Sequence, residues 1–154
     1  MTQKKLRPAP HSIYESWGMY HLAHQHLSVA AVFKHDGRFL VVREGGIWTF
    51  PTAAHCCEYP GLVAAANRLT RPLGVRIGNS GAALLGMYPP TPSSEEAEWA
   101  VLRLPVVIKN QSHIEAMWVN PPTELSLLGE LHPMVEAVFA HLGCGIEQPL
   151  ALAA

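Results

Sequence analysis

The chain is 154 residues long with 49% hydrophobic and 15% charged residues, a length and balance that fit one globular domain with its own core. Lysine and arginine number 11 against 12 aspartate and glutamate, a net charge of -1 that gives no electrostatic reason to expect nucleic acid or a membrane surface as partner. No stretch approaches the ~20 unbroken apolar residues of a membrane span. Pro8, Pro10, His11 and Glu15 stand where a signal peptide would need its apolar segment after Lys4, Lys5 and Arg7, so a soluble cytoplasmic protein is expected.

The elements follow in chain order. Residues 1–16 are polar and Pro-containing and read as an irregular arm. Leu27–Phe33 and Arg38–Arg43 are apolar runs around Asp36-Gly37, a β-hairpin signal because glycine supplies the positive φ of a tight turn. Gly45-Gly46 opens a loop that runs through Trp48, Phe50 and Pro51 to about Tyr59. Pro60 suits a first helical turn, and Leu62, Val63, Ala66, Leu69 and Leu73 recur at helical spacing up to Gly74 as C-terminal cap. Pro72 should distort the last turn of that helix.

Further strands are expected at Val75–Ile77, Ala82–Tyr88, Glu98–Ile108 and Glu115–Val119, with a Pro/Ser loop over 89–94. A short helical segment near Thr123–Leu128 precedes a helix over Pro133–Leu142, whose inward face is Met134, Val135, Val138, Phe139 and Leu142, with Gly143 as its stop. The pattern gives an α/β (α+β) sandwich. It divides into an arm over 1–20, one domain over 21–143, and a tail over 144–154.

Chemistry-bearing residues concentrate in a few places. Cys56 and Cys57 are adjacent and Cys144 is remote, so no disulfide framework is expected. The run His55-Cys56-Cys57-Glu58-Tyr59 brings an imidazole, two thiols, a carboxyl and a phenol together before the helix. It reads either as a proton-transfer or thiolate site, or as small buried cysteines beside a solvated carboxylate at the positive end of the helix dipole. Glu96 and Glu98 lie two apart and can share a strand face as an acid–base pair, or belong to a solvated acidic loop. His21, His24 and His26 have a spacing that can chelate a metal, with His24 and His26 the candidate ligands, but such sites usually need a Cys, Asp or Glu to complete them, which favours surface histidines of an N-terminal segment.

Trp48-Thr-Phe-Pro51-Thr-Ala53 followed by Leu73-Gly74-Val75 resembles the front half of a Nudix domain. There a W-x-(L/F)-P-G-G loop leads into the signature G-x5-E-x7-R-E-U-x-E-E-x-G-U, U being a bulky apolar residue. Placing Gly74-Val75 on the final G-U puts Ala53 on the first glycine without a gap. Glu115-Ala-Met-Trp118-Val resembles the E-x-x-W-V strand late in these domains, so the likeness spans roughly 26–142. It implies a single domain with a mixed sheet flanked by helices. In that family the signature carboxylates hold Mg²⁺ or Mn²⁺, which neutralises a diphosphate and helps activate water.

This chain has Tyr59, Asn67, Arg68, Arg71 and Pro72 at the polar signature positions. Hard divalent ions need several oxygen ligands, so the usual metal-dependent pyrophosphohydrolase chemistry is not expected, and no cofactor is. The expectation is instead an enzyme acting on a small molecule by metal-independent acid–base chemistry (isomerisation, cyclisation or hydrolysis), with His55, Glu58, Cys56, Cys57, Tyr59, Glu96 and Glu98 as the catalytic set. Arg43, Trp48, Phe50, Arg68, Arg71 and Tyr88 would bind the ligand, the arginines taking an anion directly. A non-catalytic module for nucleotide, metabolite or protein binding is the alternative, and a hydrolase with displaced carboxylate ligands the third. Isopentenyl-diphosphate isomerases, which share the fold and use Cys, His and E-x-E residues, resemble this set in kind. Many domains of this fold dimerise, so a homodimer is compatible with the likeness.

Overall fold

The computed structural model describes residues 6–8, 13–16, 19–22, 28–54, 62–78, 81–89, 99–109, 115–121 and 123–143. Its centre is set by β3 (Ser28–His35), in which every side chain from Val29 to Phe33 is fully buried. A run apolar on both alternating faces is one that must be covered on both sides. Accordingly β3 pairs in parallel with β9 (Trp99–Lys109), Ser28 facing Trp99 and Lys34 facing Pro105.

The other edge of β3 is shared. Its end pairs with β4 (Arg38–Glu44) through Lys34 and His35, while its start pairs with β6 (Thr52–Ala54) through Ser28–Ala30. Between them the Ala31 N–H donates to the Pro51 carbonyl at 2.9 Å. The eight-stranded sheet has the main order β10-β4-β3-β9-β7, with β7 at Val75–Ile77 and β10 at Ala116–Val119. β5 (Ile47–Thr49) is added on β4 and β8 (Ala83–Tyr88) on β9.

Helices cover both faces. Leu62, Ala65, Ala66 and Leu73 of α1 (Leu62–Asn67) and α2 (Thr70–Leu73) pack on Val29, Ala31, Phe33, Leu102 and Leu104. On the opposite face Met134, Val135, Val138 and Phe139 of α3 (Pro133–His141) pack on Ala30, Val32, Phe39 and Phe50. The alternation of Val29, Ala31 and Phe33 against Ala30 and Val32 is the period-two rule of a strand, and it gives a three-layer α/β/α sandwich in a single domain.

Asp36 and Gly37 turn β3 into β4 with φ of 51° and 75°, the two positive values of a tight hairpin turn. Gly45 and Gly46 repeat the device at 60° and 82°. There the structure corrects the sequence reading: the expected loop over 45–59 contains β5 and β6, because Gly-Gly makes a two-residue hairpin, with Glu44 facing Ile47.

The arm differs too. Ile13–Ser16 (β1) pairs with Met19–Leu22 (β2), and Arg7 forms an antiparallel bridge with Met87. The expected helix over 60–73 is interrupted. The N–H groups of Arg68 and Leu69 bond three residues back to Ala65 and Ala66, and the helix resumes at Thr70. Pro72 supplies the reason, since it has no N–H for the Arg68 carbonyl and its ring crowds that carbonyl. Gly74, at φ 69°, closes the segment as an αL cap. The expected helical segment near Thr123–Leu128 is a single 3₁₀ turn, Leu125–Leu127.

Candidate functional site

β6 ends at Ala54 and α1 begins at Leu62, so residues 55–61 join the sheet to the helix. His55, Cys56, Cys57, Glu58 and Tyr59 belong to that connection, and they, like Glu96, Glu98, His24 and His26, lie outside the described residues. His21 falls in β2.

The helical segment they lead into is described, and it has two distinct sides. Leu62, Ala65, Ala66 and Leu73 are buried against the sheet, while Asn67, Arg68, Arg71 and Pro72 are exposed. From Leu62 to Leu73 there is no acidic residue. Thr70 Oγ1 donates to the Asn67 carbonyl at 2.8 Å, a local bond that ties the break in the helix together. The outward side therefore presents two guanidinium groups and an amide. Among the described residues no group of three or more His, Cys, Asp or Glu is placed to hold a metal ion.

The other ligand-binding candidates do not gather around this side. Arg43 is exposed at the end of β4 and is engaged across the sheet by Glu115. Its Nη1 donates to Glu115 Oε2 at 3.0 Å, and its backbone N–H donates to the Glu115 carbonyl at 3.1 Å. Trp48 is buried, and its backbone clips the segment before α3: its N–H donates to the Glu130 carbonyl and its carbonyl accepts from His132 N–H, each at 2.9 Å. Phe50 is fully buried, edge-on to Phe139 with ring centroids 5.6 Å apart.

Tyr88 stacks with Trp99 at 6.1 Å, and His132 stands edge-on to both, at 6.1 Å from Tyr88 and 5.6 Å from Trp99. His132 also caps α3, its Nδ1 accepting the Met134 N–H at 3.0 Å, which fixes the neutral ring with its proton on Nε2. Trp48, Phe50 and Tyr88 thus belong to the α3 side of the sheet, and Arg68 and Arg71 to the helix segment on the other side.

No protein-family model matches the chain, and no curated protein matches it. Solved structures do. A Nudix hydrolase from Nitrosomonas europaea superposes with a TM-score of 0.57 at 18% identity, covering 84% of this chain and 95% of that one. The mutator MutT protein of Bacillus halodurans gives 0.54 at 13% identity over 77% and 82% of the two chains. RenU, a Nudix hydrolase from M. smegmatis, gives 0.52 at 17% identity over 76% and 83%. The chain has the Nudix fold. At these identities the likeness concerns the fold, and function has to be argued from the residues placed on it.

Two features of this chain escaped the sequence reading. His132 and Trp99 complete the ring cluster around Tyr88, and only the fold brings positions 88, 99 and 132 together. Arg103 is a lone charge in the otherwise apolar run Ala100–Val107, a signal that was legible and points to a strand position with special surroundings.

Proposed function

We propose that this chain is an atypical Nudix-fold enzyme that acts on a small molecule by metal-independent acid–base chemistry, having lost Mg²⁺-dependent pyrophosphohydrolase chemistry. One observation carries the reading. The outward side of the α1–α2 segment, where the family resemblance puts a carboxylate cluster, presents Asn67, Arg68, Arg71 and Pro72. Guanidinium groups repel a divalent cation, and one amide oxygen cannot replace several carboxylates, so these residues do not fit Mg²⁺ or Mn²⁺. They suit direct recognition of an anion, since arginine offers a planar fork of donors to phosphate or carboxylate oxygens.

Proton transfer then falls to the 55–59 connection, with His55 and Glu58 as base and acid, supported by Cys56, Cys57 and Tyr59, and by Glu96 and Glu98. A cytoplasmic setting and a small-molecule partner belong to the same reading. No helix of the described residues is long and apolar enough to cross a membrane.

The test is an assay of the purified chain on nucleoside-diphosphate derivatives with Mg²⁺, with Mn²⁺ and with chelator. The expected result is no metal-stimulated hydrolysis; chelator-sensitive turnover at an enzymatic rate would overturn the proposal. Once a substrate is found, His55→Ala and Glu58→Gln should abolish turnover while leaving binding measurable. The same arginine-bearing helix side favours a second reading, a non-catalytic module that binds an anionic metabolite or nucleotide. Saturable binding without turnover of any bound compound would select it.

A further inference from the structure

The side of the sheet covered by α3 bears a basic groove that the helix-side chemistry does not use. β3 and β9 run parallel there, Val32 facing Arg103 and Lys34 facing Pro105. Val32 and Val101 are buried on the α3 face, and strand alternation puts Lys34 and Arg103 on that face beyond them, with the whole sheet between these cations and α1. Lys34 lies with its ammonium 5.8 Å from the Phe39 ring centroid, while Arg103 is half-buried. The two cations line a pair of adjoining open grooves. One of about 550 Å³ is bounded by His35, Gly81 and Pro105, and one of about 280 Å³ by Phe39, Asn120 and Leu142.

Among the described residues no carboxylate pairs with Arg103 or Lys34: Glu124 pairs with Arg38, Glu115 with Arg43, and Asp36 lies against His35. A guanidinium and an ammonium lining the same grooves give them a positive potential that suits an anion. The one carboxylate among the described residues that line the larger groove is Asp36, its side chain 87% exposed and 3.5 Å from His35 Nε2. His35 is held by its other nitrogen, Nδ1 donating to the Val106 carbonyl at 2.8 Å.

We propose that this groove is an anion-binding site in which Arg103 and Lys34 hold a phosphate group. Arg103 supplies the directed fork of donors and Lys34 the point charge, while Phe39, Pro105 and Leu142 offer apolar surface to whatever the phosphate is attached to. The preferred ligand class is a small phosphorylated molecule with an apolar or ring substituent. The site lies on the opposite side of the sheet from Arg68 and Arg71, so its occupancy does not depend on the chemistry proposed for the helix side.

Calorimetric titration of the full chain with inorganic phosphate and pyrophosphate at fixed ionic strength tests the proposal. Saturable binding is expected in the wild type and should weaken by roughly ten- to a hundredfold in Arg103→Met. Lys34→Met, at an exposed position that leaves the fold intact, should weaken it by about two- to fivefold. Asp36→Asn should tighten binding by about two- to fivefold, because asparagine keeps the positive φ of the turn and removes the opposing charge. Arg76→Gln removes an exposed arginine away from the groove and should change nothing. No saturable binding in the wild type would overturn the proposal, as would equal weakening by Arg76→Gln and Arg103→Met, or indifference to both Lys34→Met and Asp36→Asn.

Discussion

Arg38 Nη1 donates to Glu124 Oε1 at 2.6 Å, and the same oxygen accepts the backbone N–H of Asn120 at 2.8 Å. One carboxylate oxygen thus ties the start of β4 to the connection between β10 and α3, across 86 residues of sequence. The Glu124 N–H returns a bond to the Asn120 carbonyl at 3.0 Å, so the turn is closed from both sides. Both side chains keep partial contact with water, 41% for Arg38 and 33% for Glu124, which limits the purely ionic part. Glu124→Ala is expected to cost about 1–2 kcal/mol in urea unfolding. Glu124→Gln should cost about half that, because its amide oxygen still accepts from Asn120. Identical losses in the two variants would show that the backbone bond to Asn120 contributes nothing.

His132 caps α3 through Nδ1, an acceptor role open only to the unprotonated nitrogen. The same ring sits edge-on to Tyr88 and Trp99. Two substitutions separate these roles. Asparagine can cap but cannot replace the ring, and alanine can do neither. His132→Asn should therefore be more stable than His132→Ala by about 0.5–2 kcal/mol, the worth of an N-cap. Both should perturb the tryptophan fluorescence through Trp99. Equal stability of the two variants would mean that the Met134 N–H finds another partner.

Phe50 separates a core role from a ligand role. Its ring is 0% exposed and meets Phe139, which in turn meets Phe39 at 5.1 Å. Removing it leaves a cavity between β5 and α3, so Phe50→Ala should lose about 3–5 kcal/mol of stability. Phe50→Leu should lose markedly less. A Phe50→Ala protein that keeps wild-type stability but loses ligand affinity would assign the ring to the binding site.

These predictions rest on contacts that differ in how far the sequence announced them. Local signals were legible: Asp36-Gly37 marked its hairpin, Gly74 its helix cap, and the apolar run at Val29–Phe33 its central strand. The Nudix fold was legible from two short anchors, Trp48–Ala53 and Leu73–Val75, because their separation matches that family's signature without a gap. Pro72 announced distortion, and the structure places the break at Arg68 and Leu69, because a proline disturbs the carbonyl four residues before it. What the sequence concealed was pairing at long range. The Arg43–Glu115 contact appears only once β4 and β10 are known to be neighbours, and the Arg103–Lys34 pair only once β3 and β9 are known to be parallel neighbours.

The helix side offers a gain-of-function test of the proposal that this chain works without the metal site of the family it resembles. Arg68→Glu, Arg71→Glu and Pro72→Glu together put three carboxylates on the exposed positions of the α1–α2 segment. Replacing Pro72 also restores an N–H to the Arg68 carbonyl, so the break should close and helical content by circular dichroism should rise. Three like charges within two turns repel one another, and the variant should be less stable than wild type in chelator. Mn²⁺ should relieve that repulsion, raising Tm and giving saturable binding by calorimetry or electron paramagnetic resonance. The wild type should show neither effect. Wild-type binding of Mn²⁺ as tight as the variant's would mean that the chain holds its metal through residues away from this helix. The proposal of metal-independent chemistry would then give way to the displaced-ligand hydrolase, with Glu96 and Glu98 the first carboxylates to replace.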